Sequence, residues 1–228
     1  TVGAIAAPKQ SWRVSRGRMV LLIAVCSVIG ILIVRYSPLP KAANLVGAYL
    51  VCQVIFLLSR TSFAPMISAA ALPVLMDTES IIYPVSAVSM TVLTVLAQLI
   101  LEKCGRRERE EFTPLPFPGK FRWVSAAVRT ACAAVIAVPV LLLGWNFCVA
   151  PPLLVAFTEF SNPESRARKN PVRTVLIITG CALCGAAFRL GLCTFLGLPL
   201  TVAGILAVAA ALAIMRLAGQ YIPPAGAL

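Results

Sequence analysis

Seven stretches of the 228-residue chain, at 19–34, 42–59, 61–76, 80–101, 130–158, 174–188 and 190–215, contain no Lys, Arg, Asp or Glu at all. An α-helix rises 1.5 Å per residue, so about 20 apolar residues cross the roughly 30 Å hydrocarbon core of a bilayer. Most of these stretches approach or exceed that length, and they use up nearly all of the chain. No sizeable soluble domain fits between them. Charged residues make up 12% of the sequence and hydrophobic ones 60%, against about 25% charged in an ordinary soluble domain. The expected fold is all-α, a polytopic integral membrane bundle.

Breakers refine the segment count. The 130–158 stretch holds Pro139, Gly144-Trp145-Asn146 and Pro151-Pro152, which should divide it into a helix of about 123–143 and a short one of about 147–159. About eight membrane segments result, two of them short. These two, 65–76 and 147–159, carry Ala64-Pro65 and Ala150-Pro151, and could cross the membrane or re-enter it. Flanking cations discriminate, because Lys and Arg collect on the cytoplasmic side. With all eight crossing and the N-terminus inside, Lys9, Arg13, Arg16, Arg18, Arg60, Lys103, Arg106, Arg107, Arg109, Lys120, Arg122, Arg166, Arg168, Lys169, Arg173 and Arg216 are cytoplasmic, and Arg35, Lys41 and Arg189 face out. Re-entrant short segments would spread the charge almost evenly, so crossing is expected. The organisation is then a basic cytoplasmic N-terminus (1–18), a first transmembrane half (19–103), a proline-containing cytoplasmic linker (104–122) and a second transmembrane half (123–228), in a cell inner (plasma) membrane.

The net charge of +12 would suggest nucleic acid in a soluble protein, but here it is spent on topology, and no nucleic-acid partner is expected. Histidine is absent, which removes the imidazole base, the haem histidine and the His-bound zinc. No enzymatic activity, cofactor or metal is expected. The cysteines fall mostly inside the apolar stretches as small packing residues. Cys181 and Cys184 form a CxxC, but at i, i+3 within a membrane segment they share one helix face instead of announcing a redox or metal centre.

A repeat of sequence grammar is visible. Ala64-Pro65-Met66, an apolar stretch, Asp77-Thr78-Glu79-Ser80 and Tyr83-Pro84-Val85 are echoed by Ala150-Pro151-Pro152, Glu159, Asn162-Pro163-Glu164-Ser165 and Asn170-Pro171-Val172. In the topology above the two short segments run in opposite directions. The units 44–103 and 123–190 would be inverted repeats, as in many secondary transporters.

The second half, 123–228, resembles the HPP family of integral membrane proteins. The resemblance rests on Val149-Ala150-Pro151, the polar loop with Asn162-Pro163 and Asn170-Pro171, the helix Gly180 to Gly185, and the stretch from Ala209 to Met215 leading to Ile222-Pro223-Pro224-Ala225-Gly226-Ala227-Leu228. Ile222 stands where the family has its eponymous His, so any role of that His is absent, and family members continue beyond this point into a further membrane segment. Plant members are similar to chloroplast nitrite transporters, so the resemblance implies small-anion transport.

Candidate substrate-binding residues follow from two physical arguments. A half-helix starting inside the membrane aims free N–H groups and a partial positive charge at the cavity, which suits an anion; this points to Pro65, Ser68, Pro151, Pro152, Pro223 and Pro224. Ionisable residues in or near the membrane are expensive unless paired or facing water; this points to Asp77, Glu79 and Glu159, with Arg129 or Arg189 as partners, and to Arg129 itself as an anion contact. Arg173 belongs to a basic cluster with Arg166, Arg168 and Lys169, which could hold lipid phosphates or gather substrate. The expected function is secondary transport of a small anion by alternating access, with the short helices crossing at the site. The alternative is a non-transporting subunit or scaffold that binds a protein partner. Small residues along the helices would permit a homodimer.

Overall fold

The computed structural model describes residues 12–105, 112–162 and 165–227. Lys9, Arg106, Arg107, Arg109, Pro163 and Glu164, which entered the topology and repeat arguments, lie outside them. The described residues are helical, with no strand among them. Six helices are long and apolar enough to cross a membrane: α1 (Arg16–Tyr36), α2 (Lys41–Leu58), α4 (Ile82–Lys103), α5 (Lys120–Leu142), α7 (Pro171–Phe188, continuing as a π-helical stretch to Phe195) and α8 (Leu200–Leu217). Between them stand two short helices, α3 (Met66–Met76) and α6 (Pro151–Phe160), a single turn at Arg166–Lys169, and 3₁₀ turns at Asn146–Val149 and Pro223–Ala227. The architecture is that of a multi-pass membrane protein.

The chain forms two compact units that part after Thr158. The sequence places the midpoint at the linker 104–122 instead. The difference arises because α5 packs along α2, which ties the helix after the linker to those before it.

In the first unit, α1 packs on α3 and α4, and α2 packs on α3 and α5. The short α3 is therefore the centre of the unit: Met66, Ile67, Ala69, Ala70, Ala71, Pro73 and Val74 are all buried. Its approach to α1 is close because Gly30 faces it. A Cβ at Gly30 would lie 2.5 Å from the Ala70 carbonyl oxygen and 2.6 Å from Pro73 Cγ. Asp77 then ends α3 in the left-handed conformation at φ 53°, a geometry Asp tolerates better than most residues. Tyr83 on α4 donates its hydroxyl to the Ala69 carbonyl at 2.9 Å.

Polar ties secure the ends. Arg16 and Glu102 form an ion pair between the start of α1 and the end of α4. The linker is strapped to the end of α2: the Arg60 side chain donates to the Leu115 carbonyl at 2.6 Å, Leu115 N–H donates back to the Arg60 carbonyl at 3.0 Å, and the guanidinium lies over the Phe117 ring at 4.2 Å.

The second unit begins at Glu159 and is built on α7 and α8, which pack together and against the Pro223–Ala227 turn. Its core is Ile177, Cys181, Ala211, Met215, Ile222 and Ala225. Ile222 is an apolar core residue. Thr174 donates to the Ala167 carbonyl at 2.8 Å and accepts from the Gln220 amide at 3.0 Å.

Candidate functional site

Polar side chains converge in the first unit, where α2 meets α5 and α6. Tyr49 and Gln53 lie one turn apart on one face of α2, about 12 and 18 Å from its first residue at 1.5 Å per residue; both are buried, Gln53 completely. The Tyr49 hydroxyl is 2.7 Å from the Thr158 hydroxyl on α6. Thr158 also donates to the Leu154 carbonyl at 2.9 Å. A hydroxyl has one hydrogen to give; since Thr158 gives its own to Leu154, the hydrogen in the Tyr49–Thr158 bond comes from Tyr49.

Arg129 enters from α5. Its Nε donates to the Ser125 carbonyl at 3.2 Å, and the guanidinium lies close enough to the Tyr49 hydroxyl to interact with it electrostatically. Because α5 starts at Lys120, three residues before the sequence suggests, Arg129 stands about 14 Å along its helix. Its side chain is half-buried, and a charge within a membrane segment is expensive unless it is paired or faces water. No carboxylate pairs with it among the described residues.

The amide of Gln53 completes the group. It lies beside the Tyr49 hydroxyl one turn away, and neither its nitrogen nor its oxygen meets hydrogen-bond geometry with a partner among the described residues. Buried amides almost always find partners, so this one is the most unusual polar group of the first unit. Beside it, the Cys52 thiol meets that of Cys26 from α1, with both cysteines buried.

The other candidates are placed differently. Asp77 and Glu79 do not join Arg129: both are exposed, and Asp77 pairs with Lys41 at 3.6 Å. Glu159 is half-buried at the start of the second unit. Arg173 is exposed in that unit, and Pro223 and Pro224 form its terminal 3₁₀ turn.

The helix starts also differ from expectation, for a reason carried by proline itself. At α6, Pro151 and Pro152 have no N–H, and the next two, from Leu153 and Leu154, both reach the Ala150 carbonyl at 2.8 and 3.4 Å. At α3, Pro65 has none, Ile67 donates to Ala64 at 3.0 Å and Ser68 to Pro65 at 3.1 Å, while the Ser68 hydroxyl bonds the same Pro65 carbonyl. Likewise Ala225, after Pro223 and Pro224, donates to Ile222. At these turns the prolines lack an N–H, and the N–H groups of Ile67, Ser68, Leu153, Leu154 and Ala225 are already given to carbonyls.

Of the sequence candidates within the first unit, Arg129 belongs with this group; the sequence reading does not include Tyr49, Gln53 and Thr158. One signal was available: Tyr49 and Gln53 at i, i+4 in the middle of a charge-free stretch. No family model matches the chain, and neither a curated protein nor a solved structure matches it.

Proposed function

We propose that this chain is a secondary carrier that moves a small anion across a cell inner (plasma) membrane, its N-terminus cytoplasmic, crossing with eight segments that include α3 and α6. The observation that carries this reading is Arg129: a half-buried guanidinium on a membrane-length helix that packs along the helix of Tyr49, paired with no carboxylate among the described residues. Ionisable groups within membrane segments characteristically mark a substrate path, and an uncompensated cation is matched by an anionic ligand. The resemblance of 123–228 to the HPP family supports the same class, with nitrite-like anions first.

The transport step follows from this arrangement. Arg129 attracts the anion, while Tyr49, Gln53 and Thr158 replace part of its hydration inside an apolar bundle. Alternating access between the inverted units 44–103 and 123–190 would open the site to each side in turn.

Uptake of nitrite, nitrate and hydrogen carbonate into proteoliposomes holding the purified protein tests the reading. Saturable uptake is expected, reduced at least tenfold by Arg129→Ala and partly restored by Arg129→Lys. Asp77→Asn should leave it within about twofold, because Asp77 is exposed and pairs with Lys41. Folded wild-type protein that takes up none of these anions would overturn the proposal in favour of a partner-binding membrane subunit.

A further inference from the structure

We infer that the end of the linker, the start of α5 and Arg60 form a binding site for the phosphate headgroup of an anionic lipid, with aromatic rings seated beside it in the membrane interface. The inference uses the membrane character of the chain and not the carrier reading, so either can fail without the other.

The cations are brought together by the backbone of the linker. Arg60, just beyond the end of α2, donates from Nε to the Leu115 carbonyl at 2.6 Å. Arg122, in the first turn of α5, donates from a terminal nitrogen to the next carbonyl, that of Pro116, at 3.3 Å. Two guanidinium groups from distant parts of the chain are thus held on consecutive carbonyls, and the exposed Lys120 stands two residues before Arg122. Little negative charge answers them. No Asp or Glu occurs between 112 and 158, and among the described residues Glu102 is committed to Arg16 and Asp77 to Lys41. A guanidinium has five N–H donors, of which each of these bonds uses one, and its planar fork matches the oxygens of a phosphate.

The surroundings assign that phosphate to a lipid. Phe117 and Phe121 are each 79% exposed and Trp123 is 40% exposed, and they alternate with cations along Phe117-Pro118-Gly119-Lys120-Phe121-Arg122-Trp123. The Arg60 guanidinium covers one face of the Phe117 ring at 4.2 Å. All of this stands where the membrane-length α5 begins, the level at which aromatic rings and basic side chains meet lipid headgroups. A free phosphate ion would use the cations and leave the rings in water, whereas an anionic lipid engages both.

Trp123 makes the site observable. Trp12 is buried, and Trp145 follows the opposite end of α5, about 30 Å along the helix from Trp123, so Trp145→Phe leaves Trp123 as the exposed tryptophan. The full chain carrying that substitution is reconstituted in phosphatidylcholine liposomes, a minor fraction of which is replaced by brominated phosphatidylglycerol or brominated phosphatidylcholine. A cation at an anionic membrane surface contributes about fivefold to binding, so quenching should show phosphatidylglycerol enriched beside Trp123 at least fivefold over phosphatidylcholine. Arg122→Gln and Lys120→Gln should each reduce the enrichment several-fold; the second changes an exposed side chain and serves if the first disturbs the linker. Arg173→Gln on α7, likewise exposed, should leave it unchanged. Equal quenching by the two lipids, an enrichment undiminished in both variants, or an equal loss in Arg173→Gln would overturn the inference. Enrichment abolished by inorganic phosphate at constant ionic strength would overturn it in favour of a soluble-phosphate site.

Discussion

Gln53 and Gln220 are buried glutamines in two separate units of one chain, and their surroundings differ in kind. Gln220 donates to Thr174, which donates to the Ala167 carbonyl, so that polar chain ends on the backbone and locks the segment after α8 to the start of α7. Gln53 is the more deeply buried and has no such partner among the described residues. A buried amide nitrogen held by a hydrogen bond, as in Gln220, rigidifies a core, whereas one that meets no partner, as in Gln53, detracts from stability and persists where function requires it. The packing differs in the same direction. Of their most apolar windows, 39% is buried within the structure for α1 and α2, 22% for α5 and 17% for α4, against 11% for α7 and 17% for α8. The first unit thus combines a dense interior around α1, α2 and α3 with the Gln53 amide, which meets a partner through neither of its polar atoms.

Glycines offer the sharpest way to break that contrast. A methyl group at Gly30 would collide with the Ala70 carbonyl and Pro73, both parts of the buried α3, whereas one at Gly204 on α8 would meet nothing within 4 Å. Overpacking a tight core costs about 1–3 kcal/mol. Gly30→Ala should therefore lower thermal stability in detergent by that amount, and Gly30→Val by more. Gly204→Ala should be neutral or stabilising by up to about 1 kcal/mol, since alanine is the better helix former. Equal effects at the two sites would mean that α1 and α3 do not pack as closely as described.

The glutamines should respond to one substitution with opposite signs. Gln53→Leu removes a buried amide without partners and should stabilise by about 1–3 kcal/mol. Gln220→Leu removes a bond that Thr174 accepts and should destabilise by about 1 kcal/mol. Thermal unfolding of the two variants side by side checks the difference, and a loss of stability in both would place Gln53 among the ordinary structural residues.

Much of this contrast was not legible in the sequence, for identifiable reasons. The charge-free stretches located the six long helices, because their signal is length and composition, and Gly144 at φ 79° breaks the chain between α5 and α6 much as the Gly144-Trp145-Asn146 triplet suggests. The central position of α3 left no trace, since a helix apolar on every side presents no distinctive face to read. Arg129 was visible because a charge in an apolar stretch is conspicuous, whereas Gln53 and Thr158 are neutral, and only their burial and bonding set them apart. The prolines were misleading in an instructive way. They located the helix starts correctly, yet an argument from free N–H groups cannot use residues that lack them.

The smallest effect is expected where the sequence argument expected function. Asp77 and Lys41 lie 3.6 Å apart with side chains 72% and 33% exposed, and an ion pair so open to solvent contributes about 0.5 kcal/mol or less. Asp77→Asn isolates the charge, because asparagine also tolerates the left-handed conformation that ends α3. Stability should fall by no more than that amount, and the difference should fade as salt is raised. A loss several times larger, insensitive to salt, would show that the Asp77 carboxylate is held by more than Lys41 and would return it to the candidate site.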